Sequence, residues 1–295
     1  MKRLLLIVFS TCLLVATAFV ATTSCSSNEP QETEETSVDL SAEEQALNAN
    51  LAAYTADFFA GREESRGFGK FFKKLVRAIT IGVADVGGFL YSWDFHAAGD
   101  ISDMVSHEFD EIDRNITGNR DFFMNFNVTG NKAIKDEFEY CQNAILEKSN
   151  SSWLVQGALH NVVIISKLQK TELNASVRSV IEERKSEIIP REGDKQISLK
   201  LGENTSYADI IDQFIVQFPD RKTDLIFLKN YVDGLSKCES MEECLDYYQG
   251  YMNIIKNEPT LRREKREYLK GIVEFETRSM NMWYGMMYDY GMSIL

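Results

Sequence analysis

Asp103, His107 and Glu111 stand at i, i+4 and i+8 in "DISDMVSHEFDEIDR". On a helix this spacing puts all three on one face, with Asp100 and Asp110 near it. A histidine and carboxylates one turn apart supply the nitrogen and oxygen donors that chelate a divalent ion. The stretch has no second histidine to make H-E-x-x-H, and its aspartates miss the calcium-loop pattern. A solvated acidic helix face accounts for the same residues. His160–Asn161, inside an apolar run, offers an acid and an amide for a site, or a core histidine with both ring nitrogens satisfied. The chain has three histidines, no G-x-S-x-G, no Cys–His motif and no phosphate loop, so nucleophilic catalysis and nucleotide chemistry lack a sequence basis. No cofactor is expected.

Cys238 and Cys244 in "CESMEEC" are the next reactive pair. Ser240 and Glu243 make an S-x-x-E capping box that opens a helix, with Cys238 just outside it and Cys244 in its first turn. That brings the two sulfurs close enough for a disulfide in an oxidising compartment. Two separate thiols are the alternative.

A different kind of chemistry is suggested by "FGKFFKKLVRAITIGVADVGGFLY", residues 68–91. On a helical wheel Lys70, Lys73, Lys74 and Arg77 fall between about 200° and 300°, with Phe71 at zero. Phe68, Phe72, Leu75, Val76, Ile79, Val83, Val86 and Leu90 fall between about 40° and 140°. A basic face opposite a broad apolar face is the geometry that lies on anionic membranes. Phe68, Lys70, Phe71, Phe72, Lys73, Lys74 and Arg77 are therefore the candidate contacts to a membrane or a partner. A membrane-active or antagonistic factor working through 68–91 is one functional reading. The competing one is a surface helix with solvated lysines that runs into a buried, glycine-bearing segment after Arg77. Arg77 and Asp85 interrupt the apolar run and argue against a membrane span.

The residues that would place such a protein come first in the chain. "MKRLLLIVFSTCLLVATAFVATTSC" has an early basic pair, an apolar run from Leu4 to Val20 and small residues before Cys25, the layout of an export signal. Its end, "TTSC", resembles a bacterial lipobox, with Thr22 where an aliphatic residue is usual. The N-terminus as a whole resembles Bacteroidota-type lipoprotein precursors. That resemblance implies cleavage by signal peptidase II, lipidation of Cys25 with diacylglycerol and palmitate-like chains, and anchoring in the outer membrane, facing the periplasm or the exterior. The following "SSNEPQETEETSVDLSAEE" is polar and acidic, as suits a flexible tether.

The elements that must carry these groups read as helices almost throughout. "SAEEQALNANLAAYTADFFAG" has a capping box at Ser41 and Glu44, an apolar stripe of Leu47, Leu51, Tyr54 and Phe58, and Gly61 as its stop. Similar periodicity recurs to the C-terminus, where the methionine- and aromatic-rich "RSMNMWYGMMYDYGMSIL" wraps all round its helix. "QISLKL" alternates with period two and reads as a short strand or hairpin arm. The expected fold class is all-α, a multi-helix bundle or array with at most one short β-hairpin. The expected divisions are a signal peptide (1–24), an acidic tether (25–44), and N- and C-terminal helical parts (45–190 and 205–295), the last two separate or continuous.

A chain of 295 residues with 44% hydrophobic content can bury a sizeable core. Its formal charge of −13 excludes nucleic acid as an expected partner, since phosphate binding needs a basic face. The function expected from these features is non-enzymatic: a lipid-anchored envelope protein that binds a protein partner or serves a structural role through helical surfaces. A metal-dependent enzyme built on Asp103, His107 and Glu111 is the remaining alternative.

Overall fold

Ser41 opens the first helix as its sequence requires. The hydroxyl accepts from the Glu44 amide at 3.3 Å, and the Glu44 carboxylate accepts from the Ser41 amide at 3.1 Å. Two of the amides left over at a helix start are thereby satisfied. The computed structural model describes residues 41–61, 70–92, 98, 105, 132–147, 155–169, 172–187, 197–202 and 205–289. These hold nine α-helices and no strand. In chain order they are α1 (Ala42–Phe58), α2 (Lys70–Ser92), α3 (Lys132–Glu147), α4 (Gln156–Gln169), α5 (Ala175–Glu187), α6 (Tyr207–Gln217), α7 (Lys222–Leu235), α8 (Met241–Asn257) and α9 (Arg263–Asp289).

The apolar stripe of α1 works as its spacing predicts. Leu47 and Leu51 are buried, and Tyr54 and Phe58 pack on Tyr247 of α8. Gly61, just past the helix, has a φ of 75°, a left-handed backbone that costs glycine little and other residues more.

Helix α2 is the central element. Every residue from Ala78 to Leu90 is buried, so the helix is surrounded and cannot present a solvent face there. Helix α9 lies along one side of it and α6 along another. Small residues allow this crowding. At Gly87 the Phe214 ring of α6 occupies the place of a Cβ, and at Gly82 the Glu276 carboxyl of α9 stands 2.8 Å from where one would be. Tyr91 stacks on Phe218 with centroids 3.9 Å apart, and Phe89 meets Phe275 edge-on. The expected change of character at Arg77 is one of burial alone: α2 runs unbroken through that residue.

Helices α3 and α4 pack together, and α4 also lies on α9. Pro219–Arg221 forms a single 3₁₀ turn that leads from α6 into α7. Tyrosines from α7 and α8 (Tyr231, Tyr247, Tyr251) fill the region between α1, α7 and α8. In the last helix Met280, Met282, Trp283 and Met286 are buried, and Tyr284 packs on Phe71 at 5.5 Å. The methionines thus fill irregular space in the core.

The period-two segment "QISLKL" is extended at 197–202 but pairs with no strand. Gln217 of α6 accepts from the Ser198 amide at 3.1 Å and donates to its carbonyl at 2.9 Å. Gln213, one turn earlier, does the same to Lys200 at 2.6 and 3.0 Å. Two side-chain amides four residues apart therefore replace a neighbouring strand. Ile197, Leu199 and Leu201 alternate inward against the core, as the pattern implies.

Candidate functional site

The groups best able to do chemistry meet inside the protein, where α2, α4 and α9 converge. Asp85 is the one ionisable residue between Arg77 and Tyr91 of α2, and it is fully buried. A lone charge in an apolar helix must find donors, because an unpaired buried carboxylate costs several kcal/mol (roughly). Two donors reach its Oδ2, and a histidine lies against its Oδ1. Ser279 and Trp283, one turn apart on α9, donate to Oδ2, the indole at 3.0 Å. His160 of α4 brings Nε2 to 2.9 Å from Oδ1. The other ring nitrogen of His160 lies 3.1 Å from Asn161 Oδ1. The Asn161 amide nitrogen is already donating to Glu137 Oε1 and to the Arg278 carbonyl, both at 3.0 Å, so its oxygen is the acceptor. Nδ1 of His160 is thus hydrogen-bonded to Asn161, whereas Nε2 lies close against Asp85 Oδ1 without hydrogen-bond geometry.

Through Asn161 the network reaches a second cluster nearer the surface. Arg278 donates to Glu274 at 2.6 Å and to the Tyr140 hydroxyl at 2.7 Å, lies 3.8 Å from Glu137, and stands over the Tyr140 ring at 4.3 Å. Cys141 donates to Glu137 at 3.2 Å. Burial, followed by the Glu137 charge, pushes the Cys141 thiol well above its ordinary range. A thiol held protonated in this way is a poor nucleophile.

Glu276 is the exception. It is fully buried, against the α2 backbone at Gly82, and neither carboxyl oxygen has a hydrogen-bond partner among the described residues. Burial and then the nearby Asp85 charge raise its carboxyl well above the usual carboxylate range.

The arrangement is not that of a nucleophile activated by a base. A serine awaiting deprotonation must contact the histidine, whereas Ser279 donates to the aspartate and the nitrogens of His160 face Asn161 and Asp85. Asp85, His160, Asn161 and Ser279 all have 0% exposure. What this network can do is fix α2, α4 and α9 in register.

The other residues singled out in the sequence fall elsewhere. Asp103, His107 and Glu111 lie outside the described residues, as do Cys25, residues 25–40 of the expected tether and Phe68, whereas the last residues of that tether, Ser41–Glu44, cap and begin α1. Among the described residues no group of three metal-capable side chains comes together. Lys70 begins α2. Phe72 and Lys73 are exposed, Phe71 and Arg77 are half-buried, and Lys74 is buried. The apolar face of the segment, Leu75, Ile79, Val83, Val86 and Leu90, is packed in the core, with Val76 half-buried beside it. No helix among the described residues is long and apolar enough to cross a membrane. Cys238 and Cys244 do flank the start of α8, and Ser240 caps the Glu243 amide at 3.1 Å. Both are free, buried thiols here, as in the second of the two sequence readings. The hydrogen bond to Cys238, and then burial, drive the Cys244 thiol far above its ordinary range.

Asp85 carried a signal that could have found this site, a single charge in the otherwise apolar stretch from Ala78 to Leu90. Glu276 carried none, since "EFETRS" reads as an ordinary exposed stretch. No family model matches the chain, and neither a curated protein nor a solved structure matches it.

Proposed function

We propose that this is a lipid-anchored cell-envelope protein, tethered through Cys25 to the outer membrane, with a non-enzymatic binding or structural role carried by its helical surfaces. The observation that carries the second half of this reading is the enclosure of the Asp85–His160 network. The acid, base and hydroxyl groups gathered there are spent on one another, leaving recognition to the outer faces of the helices. The first half rests on the basic–apolar–small layout that ends at Cys25 and on the acidic stretch after it. A thioether-linked diacylglycerol with a further acyl chain gives the multiple-chain attachment that stable anchoring requires. The partner is a protein, and the acidic balance disfavours nucleic acid.

Metabolic labelling with an alkyne fatty acid, in a bacterium that lipidates such precursors, tests the anchor. The wild-type chain is expected to take up label and to accumulate as unprocessed precursor under globomycin. Cys25→Ser is expected to lose the label and to leave the membrane fraction. Normal processing under globomycin, or equal labelling of Cys25→Ser, would overturn the assignment.

A further inference from the structure

The α2–α9 contact encloses two carboxyl groups of opposite circumstance. Asp85 receives Ser279, Trp283 and His160, whereas Glu276 is wedged against the Gly82 backbone with nothing to donate to it. We propose that Glu276 is a proton-operated latch between these helices: neutral, it lets α2 and α9 close on each other; ionised, it drives them apart.

The surroundings of Glu276 make the proton decisive. From α2 it faces the carboxyl of Asp85, and the Thr80 hydroxyl of that helix is turned back onto the Val76 carbonyl at 2.8 Å. The polar groups of α4, which also packs on α9, are His160 and Asn161, and their contacts go to Asp85, Glu137 and the Arg278 carbonyl. From α7 comes Tyr231, held by Thr277 at 2.6 Å. On α9 itself the Arg278 guanidinium is taken by Glu274, Glu137 and Tyr140, and Tyr248 of α8 also donates to Glu274. The Thr80, Asn161, Tyr231 and Arg278 donors are committed to other groups and His160 lies against Asp85, so an ionised Glu276 adds repulsion from Asp85 with no hydrogen bond to offset it. On opening, its proton passes to water, and the first surfaces parted are the Gly82 face of α2 and the buried face of α9.

The sign of the pH effect follows. The folded state holds this proton more tightly than the unfolded chain does, so the contribution is complete below the unfolded glutamate value, about 4.3. It is lost as pH rises through the higher folded value. Between those limits a single such group changes the folding equilibrium about tenfold per pH unit. This inference does not depend on how the protein is anchored or what it binds.

The test compares the mature wild-type protein with Glu276→Gln in urea unfolding and in hydrogen exchange of peptides from 78–90, corrected for intrinsic rates, over pH 4 to 9. The wild type is expected to lose stability and α2 protection relative to Glu276→Gln by up to about tenfold per pH unit. Parallel curves for the two proteins would overturn the latch. Should Glu276→Gln fail to fold, infrared spectra of the wild type labelled with ¹³C-glutamate decide the matter. A protonated glutamic acid carbonyl band at neutral pH that disappears with loss of α2 protection supports the latch, and its absence at neutral pH overturns it.

Discussion

Asp85 and His160 hold each other in a site where neither alone would be tolerated. Removing one partner leaves the other buried and unmatched, which typically costs about 3–5 kcal/mol, whereas replacing a whole buried pair by apolar groups can be neutral. Asp85→Ala is therefore expected to destabilise the protein by about 3–5 kcal/mol in urea unfolding. The double variant Asp85→Ala, His160→Phe is expected to recover part of that loss, because no charged group is then stranded. Additive effects in this pair would show that the 2.9 Å contact is energetically idle. Glu276 differs from Asp85 only in what faces it. Both carboxyls belong to the same helix contact, yet Asp85 has two donors and His160 beside it, and Glu276 has no hydrogen-bond partner among the described residues.

At the level of elements, glycine placement in α2 shows packing overriding propensity. Alanine in place of glycine inside a helix normally gains about 1 kcal/mol. At Gly87 the added methyl would collide with the Phe214 ring of α6, and overpacking of this sort costs about 1–3 kcal/mol. Gly87→Ala is thus expected to lower the urea midpoint with little change in slope, and a gain in stability would show that α6 yields easily. In the cationic stretch of the same element Phe72 and Lys73 are exposed and Lys74 is buried, and the apolar face from Leu75 onward packs against α9 and α6. The extended segment 197–202 shows the complementary case, where the alternation was read correctly but the partner was not. Two glutamines on a helix supply the hydrogen bonds that a strand was expected to give.

For the molecule as a whole, the three described cysteines probe whether the core stays closed. Cys141, Cys238 and Cys244 are all free and buried. They are expected to resist a thiol reagent in the native state and to react once urea unfolds the chain, with a common midpoint followed by fluorescence. Intact mass of the alkylated, unreduced protein is expected to show labels at both Cys238 and Cys244. The mass deficit of a disulfide would show that the pair is oxidised where the protein matures. One cooperative core is the basis of this expectation, since α9 touches helices on both sides of the 190–206 stretch taken from the sequence as a boundary.

What the sequence determined by itself is what short range decides. The Ser41 and Ser240 caps, the Leu47–Leu51 stripe, the stop at Gly61 and the all-helical class each depend on residues within a few positions of one another. The lipid address at Cys25 was legible in the same way, as a local pattern, and stands as a proposal. Only the tertiary structure decided which charges are answered. Ser279 and Trp283 lie 194 and 198 residues from Asp85, and no spacing rule links them. Cys238 and Cys244 were near enough in sequence to bond, yet the fold leaves both as thiols. The physical reason is shared: periodicity tells which face of a helix is apolar, but burial of a polar group is settled by the particular neighbour that packing brings. Asp85 received two donors from α9 and His160 of α4 beside it, and Glu276 received a glycine backbone.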